Sequence, residues 1–183
     1  MTDGSDILPE LEELLAKQAI TEVLHRYCRG VDRLDEDLVR DIYHDDAFDD
    51  HGYWSGRGHD FAPFVVNRLR QENAWTTHSI TNALIEVRGD VAISESQVMV
   101  HLKRRNGGPV IVDVMGARYV DRFSKRNGVW KIDERTVVLD WHKVENWAGQ
   151  EAQIPLELFT TGKRERTDAV YIMHEKMTLQ DEG

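Results

Sequence analysis

Three short stretches constrain this chain more than anything else in it: Gly89-Asp90, Asn106-Gly107-Gly108 and Arg126-Asn127-Gly128. Gly and Asn tolerate positive φ, so each stretch reads as a tight hairpin turn. The turns cut the second half of the chain into strands at 77–88, 91–105, 109–124 and 129–141. Successive strands joined in this way form an antiparallel meander. At about ten residues or more each, with ends uncertain by about 2–4 residues, the strands are long enough to curve around helices.

The first half has a different period. Leu11, Leu14, Leu15, Ala19, Val23, Leu24, Tyr27 and Val31 recur at helical spacing and predict one long amphipathic helix with a single buried face. Pro9 suits its first turn, and Gly30 near its end tolerates unusual backbone angles. Asp32 is expected just past that end. A second helix is expected over 35–44, with Asp35, Glu36 and Asp37 in a first turn where the helix dipole favours acids. A strand over 48–55 and a third helix over 59–72 follow. Residues 1–7 read as a loose tail. Residues 142–183 read as an extension that packs on the domain or a neighbouring copy, with a short helix over 168–178. The chain is thus one α+β domain spanning 8–141 plus two flanking segments. Its expected architecture is a cone-shaped barrel in which a strongly curved antiparallel sheet wraps around N-terminal helices.

Composition narrows the function classes. Of 183 residues, 40% are hydrophobic and 31% charged, which is globular and neither disordered nor membrane-bound. The net charge of −10 lacks the basic face that phosphate binding needs, so nucleic acid is not an expected partner. The acidic N-terminus has no signal-peptide pattern, and no apolar run reaches the roughly 18 residues of a membrane span. A cytoplasmic location is the simplest expectation. Cys28 is the sole cysteine, which rules out an internal disulfide, and its place beside Tyr27 reads as packing.

Two fragments carry possible chemistry. His25 to Arg33 delivers Tyr27 and Asp32 to a helix end, and Trp75 to Asn82 places His78 at a strand start. A histidine takes a proton readily near neutral pH, and a carboxylate on its other ring nitrogen fixes the tautomer and steadies the imidazolium. Spacing alone favours a plainer account, in which Asp32 caps a turn and His78 merely opens a strand. Tyr27 serves equally as a core tyrosine or a donor to a substrate oxygen. Strand alternation puts His51 and Tyr53 on one face, and both line a pocket if that face is concave. His101 lies mid-strand on the side of Met99. Arg118, Arg135, Asp113 and Asp140 are strand residues of undetermined facing, and a buried arginine among them would suit a carbonyl or phenolate. Trp54, Trp75 and Trp141 suggest an apolar, ring-containing ligand. The crowd of His44, Asp45, Asp46, Asp49, Asp50, His51 and His59 matches no metal-binding spacing and reads as a solvated helix end and loop. No Gly-rich phosphate loop is present, so neither metal nor cofactor is expected.

The segments Ala19-Ile20 through Tyr27, Gly30-Val31-Asp32, Asp45-Asp46-Ala47 and Asn127-Gly128-Val129-Trp130-Lys131-Ile132 resemble the SnoaL-like branch of the nuclear transport factor 2-like superfamily. The resemblance spans about residues 8–141. Asp32 with His78 is similar to the Asp–His dyad of scytalone dehydratase, hexachlorocyclohexane dehydrochlorinase and bile-acid 7α-dehydratase, which are cofactor-free lyases. Tyr27 matches a tyrosine of the bile-acid enzyme, and His101 falls near another polar pocket position of the dehydratases. The resemblance implies a lyase acting on a hydrophobic cyclic or aromatic molecule, by dehydration or by loss of a small carbonyl fragment. It further implies a homo-oligomer, with a trimer favoured. A ketosteroid-type isomerase and a non-catalytic ligand-binding protein are the alternatives on the same fold.

Overall fold

The computed structural model describes residues 4–149 and 155–181. Helix α1 runs from Gly4 to Arg33, so most of the expected tail is already helical and only residues 1–3 of it lie outside the described residues. Helix α2 spans Glu36–Asp41 and strand β1 spans Tyr43–Asp50. Strand β2 is the short Ser55–Arg57, and helix α3 is Gly58–Glu72. Strands β3 (Asn73–Arg88), β4 (Val91–Arg104), β5 (Ile111–Arg126) and β6 (Val129–Asn146) form the meander.

The strands make one open six-stranded sheet in the order β2-β1-β6-β5-β4-β3. This refines the expected barrel in two ways. The sheet is mixed, because β1 runs parallel to β6, and it is not closed. The parallel step follows from α3, which carries the chain from β1 across to the far edge of the sheet. Register shifts near Ile80, Gly116 and Arg122 mark bulges, which bend a sheet and increase its twist. The hairpin turns close as their residue types require, with Gly89, Asn127 and Gly128 at positive φ.

Helices α1 and α3 fill the concave face. Ile20, Val23, Leu24 and Val31 of α1 and Phe61, Val65 and Val66 of α3 join Val98, Phe123 and Ile132 of the sheet in one core. The expected buried stripe of α1 begins only at Ala16. Leu8, Leu11, Leu14 and Leu15 are exposed, because the first turns of this helix extend past the packed sheet.

The corner after α1 closes by an Asp35 N–H to Gly30 carbonyl bond at 2.9 Å, with Leu34 at φ 56°. This is a Schellman-type helix end in which a leucine takes the left-handed position. Asp32 therefore lies in the last helical turn, not beyond it. Gly30 is needed for closeness, since a Cβ there would sit 2.6 Å from the Val39 side chain. Asp35 caps α2 by accepting from the Leu38 N–H at 3.3 Å. The expected strand through residues 51–54 is instead an irregular loop turning at Gly52, whose φ is 74°.

Past β6, the described part of the extension has a 3-10 turn at Leu156–Leu158 and helix α4 at Ala169–Asp181. It packs on the domain through polar contacts. Arg164 Nη1 donates to the carbonyls of Leu69 (3.2 Å) and Asn73 (2.8 Å), where α3 meets β3. Asp168 accepts from the Lys163 N–H and pairs with Arg33 at 3.5 Å. Tyr171 donates to Asp35 at 2.8 Å. Residues 150–154 of the extension lie outside the described residues, and Leu158 and Phe159, apolar residues of the segment expected to pack, are exposed. Among the described residues, no helix is long and apolar enough to cross a membrane.

Gly58 opens α3 directly against Tyr43, whose ring would lie 2.5 Å from a Cβ at that position. Tyr43 is fully buried and cannot swing aside. Gly58→Ala should lower stability by about 1–3 kcal/mol, the usual cost of overpacking. Chemical denaturation of the two proteins measures it.

Candidate functional site

Two polar constellations meet one cavity. The first joins the end of α1 to β3. Strand β3 is an edge strand and so has backbone groups that the sheet does not use. The Asp32 carboxylate takes up one of them, with two side chains beside it. Its Oδ2 accepts from the His78 backbone N–H at 2.8 Å, while Oδ1 accepts from Thr76 Oγ1 at 2.8 Å and from His78 Nδ1 at 2.7 Å. Thr76 and His78 share a strand face, which is why one carboxylate reaches both.

Burial alone would raise the Asp32 carboxyl, but the bonds and charge of His78, together with the Thr76 hydroxyl, hold it below the ordinary aspartate value. An ionised carboxylate offers only acceptors, so the hydrogen on Nδ1 of His78 points at Asp32. Nε2 is left free, and among the described residues no group hydrogen-bonds it. His78 lines a cavity of about 250 Å³.

The cavity walls are largely apolar, with Val65 and Leu69 from α3, Val98 and Val100 from β4, Met115 from β5 and Val137 from β6. Its polar lining includes His78, Tyr27, His51, Tyr53 and Tyr119. His51 and Tyr53 thus reach the cavity from the loop after β1, held by that loop's turn and not by strand alternation.

The second constellation lies behind Tyr27. Its hydroxyl is 3.1 Å from His51 Nε2, and His51 Nδ1 bonds Asp49 Oδ1. Asp49 Oδ2 accepts from the Tyr43 hydroxyl. The His51 ring stacks on Phe61 with centroids 4.1 Å apart. Register brings more charge alongside. Asp49 of β1 pairs with Arg135 of β6, which in turn pairs with Asp121 of β5. Arg135 grips Asp121 through two bonds of 2.7 Å, and both side chains are fully buried. The guanidinium packs over both the Tyr27 ring (4.5 Å) and the Tyr119 ring (4.3 Å), two cation–π contacts in the corner where those rings meet edge to face. Burial opposes its charge, yet the Asp121 carboxylate, with further help from Tyr43 and Tyr27, holds its pKa well above the ordinary arginine value.

Other candidates fall elsewhere. His101 is a correction. It sits across from Thr77 and Val114, while Val98, Val100 and Leu102 of the same strand face the cavity, so alternation turns His101 to the outer side. Trp54 packs on Phe61 and Phe64, Trp75 on Trp147, and Trp141 lies over Gly116; none of the three lines the cavity. Arg118 binds Asp140 and Glu95 in an exposed cluster, and Asp113 binds Arg104 and His142. Cys28 is buried, and burial with the Asp32 charge pushes its thiol up to about 12. The acidic crowd after α2 is also a correction, because Asp49 and His51 within it are buried and bonded, not solvated. Among the described residues, no three His, Cys, Asp or Glu side chains converge as metal ligands.

Sequence reasoning missed Thr76, Asp49, Asp121, Tyr43 and Tyr119. A signal existed for Asp121, since Ala117, Tyr119, Asp121 and Phe123 alternate and the aspartate occupies an inward place among apolar residues. Asp49 had no such signal, because its environment depends on the parallel pairing of β1 with β6.

A strongly bent sheet packed on N-terminal helices around an apolar cavity is the arrangement of an NTF2-like domain. The chain belongs to the SnoaL-like domain family, whose sequence profile matches residues 12–136. Among solved structures it is similar to a type 2 hexachlorocyclohexane dehydrochlorinase (LinA), at 25% identity over 80% of this chain and 98% of the other, with a TM-score of 0.69. It is also similar to a protein provisionally assigned as a scytalone dehydratase from Novosphingobium aromaticivorans (18% identity, 72% and 88% covered, TM-score 0.65). A third likeness is an NTF2-like superfamily protein from Salmonella enterica serovar Typhimurium (22%, 69% and 92%, 0.62). No curated protein sequence matches the chain.

Two measurements probe this geometry. Arg135→Met strands the Asp121 carboxylate in the core and should destabilise the protein by about 3–5 kcal/mol in denaturant titration. For Asp32 the folded carboxyl titrates below its unfolded value of about 3.8, so its stabilisation is complete above that pH. The stability gap between wild type and Asp32→Asn should therefore shrink as pH falls below 3.8.

Proposed function

We propose that the protein is a cofactor-independent lyase that eliminates a small group, water foremost, from a hydrophobic cyclic or aromatic molecule. The observation that carries this reading is the 2.7 Å contact between Asp32 and His78, which leaves Nε2 bare beside an apolar cavity. In the reaction, Nε2 removes a proton from a carbon next to an activating group. Asp32 holds the ring in the required tautomer and stabilises the imidazolium as it forms. The carbon–hydrogen electrons become the new double bond as the leaving group departs. Loss of a carbonyl fragment by a retro-aldol path uses the same base on a hydroxyl proton.

The cavity's size and apolar walls support a substrate about one or two rings across. The similarity to a dehydrochlorinase and to a protein assigned as a dehydratase supports elimination as the reaction class. Exposed apolar side chains along α1 and on the outer sheet, such as Leu11, Leu15, Ile93 and Val120, support assembly of several copies, a trimer being the favoured form.

Removing a positioned general base costs about 10²–10⁴ in rate. His78→Ala and Asp32→Asn should each lose at least ~100-fold in turnover, with circular dichroism spectra like that of the wild type. Full activity in both variants would end the assignment of Asp32 and His78 as the catalytic pair.

A further inference from the structure

The base explains how a proton leaves the substrate but not how a poor leaving group such as hydroxide is expelled. The hydrogen bonds behind Tyr27 bear on that second half of the reaction, and their role there rests on the lyase reading. We propose that Asp49, His51 and Tyr27 form a second proton-transfer arm, which delivers a proton through the Tyr27 hydroxyl to the departing oxygen.

Counting hydrogens fixes the direction of each bond in the arm. Tyr43 has one hydroxyl hydrogen and donates it to Asp49 Oδ2. Asp49 Oδ1 accepts from His51 Nδ1, so that nitrogen carries the ring's hydrogen. When His51 is neutral, Nε2 is an acceptor, the Tyr27 hydrogen is drawn to it, and Tyr27 shows the cavity only lone pairs. When His51 is protonated, Nε2–H donates to the Tyr27 oxygen, which frees the Tyr27 hydrogen to point into the cavity. One proton on His51 therefore switches Tyr27 from acceptor to donor toward any molecule bound there.

Tyr27 cannot act alone. Burial pushes its pKa well above the ordinary value, with smaller additions from Tyr119 and Tyr43, so a lasting tyrosinate is excluded and a proton given up must be replaced from His51. The groups facing His51 are Tyr27 from α1, Asp49 and Tyr43 from β1, Tyr53 from its own loop, Asp121 from β5 and Arg135 from β6, while α3 stacks Phe61 on the ring and brings Arg68, over Tyr53, and Glu72 to the same cavity. Asp49 and Asp121 favour a proton on His51, and the Arg135 guanidinium opposes it. Burial opposes it too and leaves the His51 pKa below its ordinary 6.5 despite Asp49. The neutral ring is the resting form at neutral pH, and the donor form grows as pH falls.

The step balances. His78 Nε2 takes the carbon-bound proton and the C–H electrons form the double bond. The C–O bond breaks, its oxygen takes the Tyr27 proton, and the Tyr27 oxygen takes the proton of His51 Nε2. Water leaves, one proton has moved from His51 to His78, and solvent restores both. A chloride leaving group needs no such proton, so it bypasses the arm.

The test has two readouts. In protein labelled with ¹⁵N-histidine, His51 at neutral pH should be the Nδ1–H tautomer, and Asp49→Asn should move its titration to lower pH. An Nε2–H tautomer at neutral pH overturns the proposal without any substrate. Turnover is then followed on 3-hydroxycyclohexanone and 3-chlorocyclohexanone, which give the same enone and differ only in the leaving group. His51→Gln and the milder Tyr27→Phe should each lower the hydroxide-to-chloride rate ratio by ~100-fold or more. In the wild type, the hydroxy compound's rate should fall as pH rises through the His51 titration, and the chloro compound's should not. An unchanged ratio in both variants removes the arm and leaves the His78 base standing. Full turnover of both compounds by His78→Ala instead removes His78 as the base, the assignment on which the proposed function rests.

Discussion

One carboxylate joins the two halves of this fold. Asp32 closes the last turn of α1 and at the same time satisfies a backbone N–H on the exposed edge of β3. A sheet edge is ordinarily a liability, since its unpaired groups invite other strands. Here part of that edge is bonded to a side chain from the helix that fills the sheet's concave face. The bond that seats α1 against β3 also orients the His78 ring, so structural and chemical roles fall to the same atoms. The tight corner after α1 depends on closeness at Gly30 and on Leu34 in a left-handed conformation, and together they set the position of Asp32 to within a turn of helix.

The other side of the cavity is built on a different physical basis. A guanidinium against two tyrosine rings, with a carboxylate on either flanking strand, would be prohibitively costly in the core without its partners. The cluster exists because the parallel β1–β6 pair and the antiparallel β5–β6 pair align Asp49, Arg135 and Asp121 in one row. The cavity is consequently asymmetric. Its rim near β3 carries one carboxylate bonded to an imidazole, and its floor carries a charged cluster sealed by aromatic rings.

Much of this was legible in the sequence. The meander was, because Gly89, Asn127 and Gly128 have few conformational alternatives in a two-residue turn. The meeting of Asp32 with His78 was legible through resemblance, since no local pattern links residues 46 positions apart. Alternation rightly set His101 beside Met99, and it was the resemblance that put it at the pocket; the neighbouring Val98, Val100 and Leu102 take that face. Alternation placed His51 and Tyr53 together for a reason the structure does not bear out, as a loop does the work assigned to a strand. The leucines of α1 show the limit of periodicity, which marks an apolar stripe but not how far the sheet beneath it extends. The floor cluster was hidden because it depends on a parallel pairing between segments some 85 residues apart, as the Asp49–Arg135 step shows.

The extension after β6 has a consequence for how such domains vary. Arg164 holds the corner where α3 becomes β3, and Asp168 and Tyr171 hold the corner where α1 becomes α2. Those corners flank His78 on one side and Asp32 on the other, yet the fastener lies beyond residue 136, where the shared family domain ends. A substitution at Arg164, Asp168 or Tyr171 therefore reaches the backbone on either side of the dyad while every residue of the cavity stays the same.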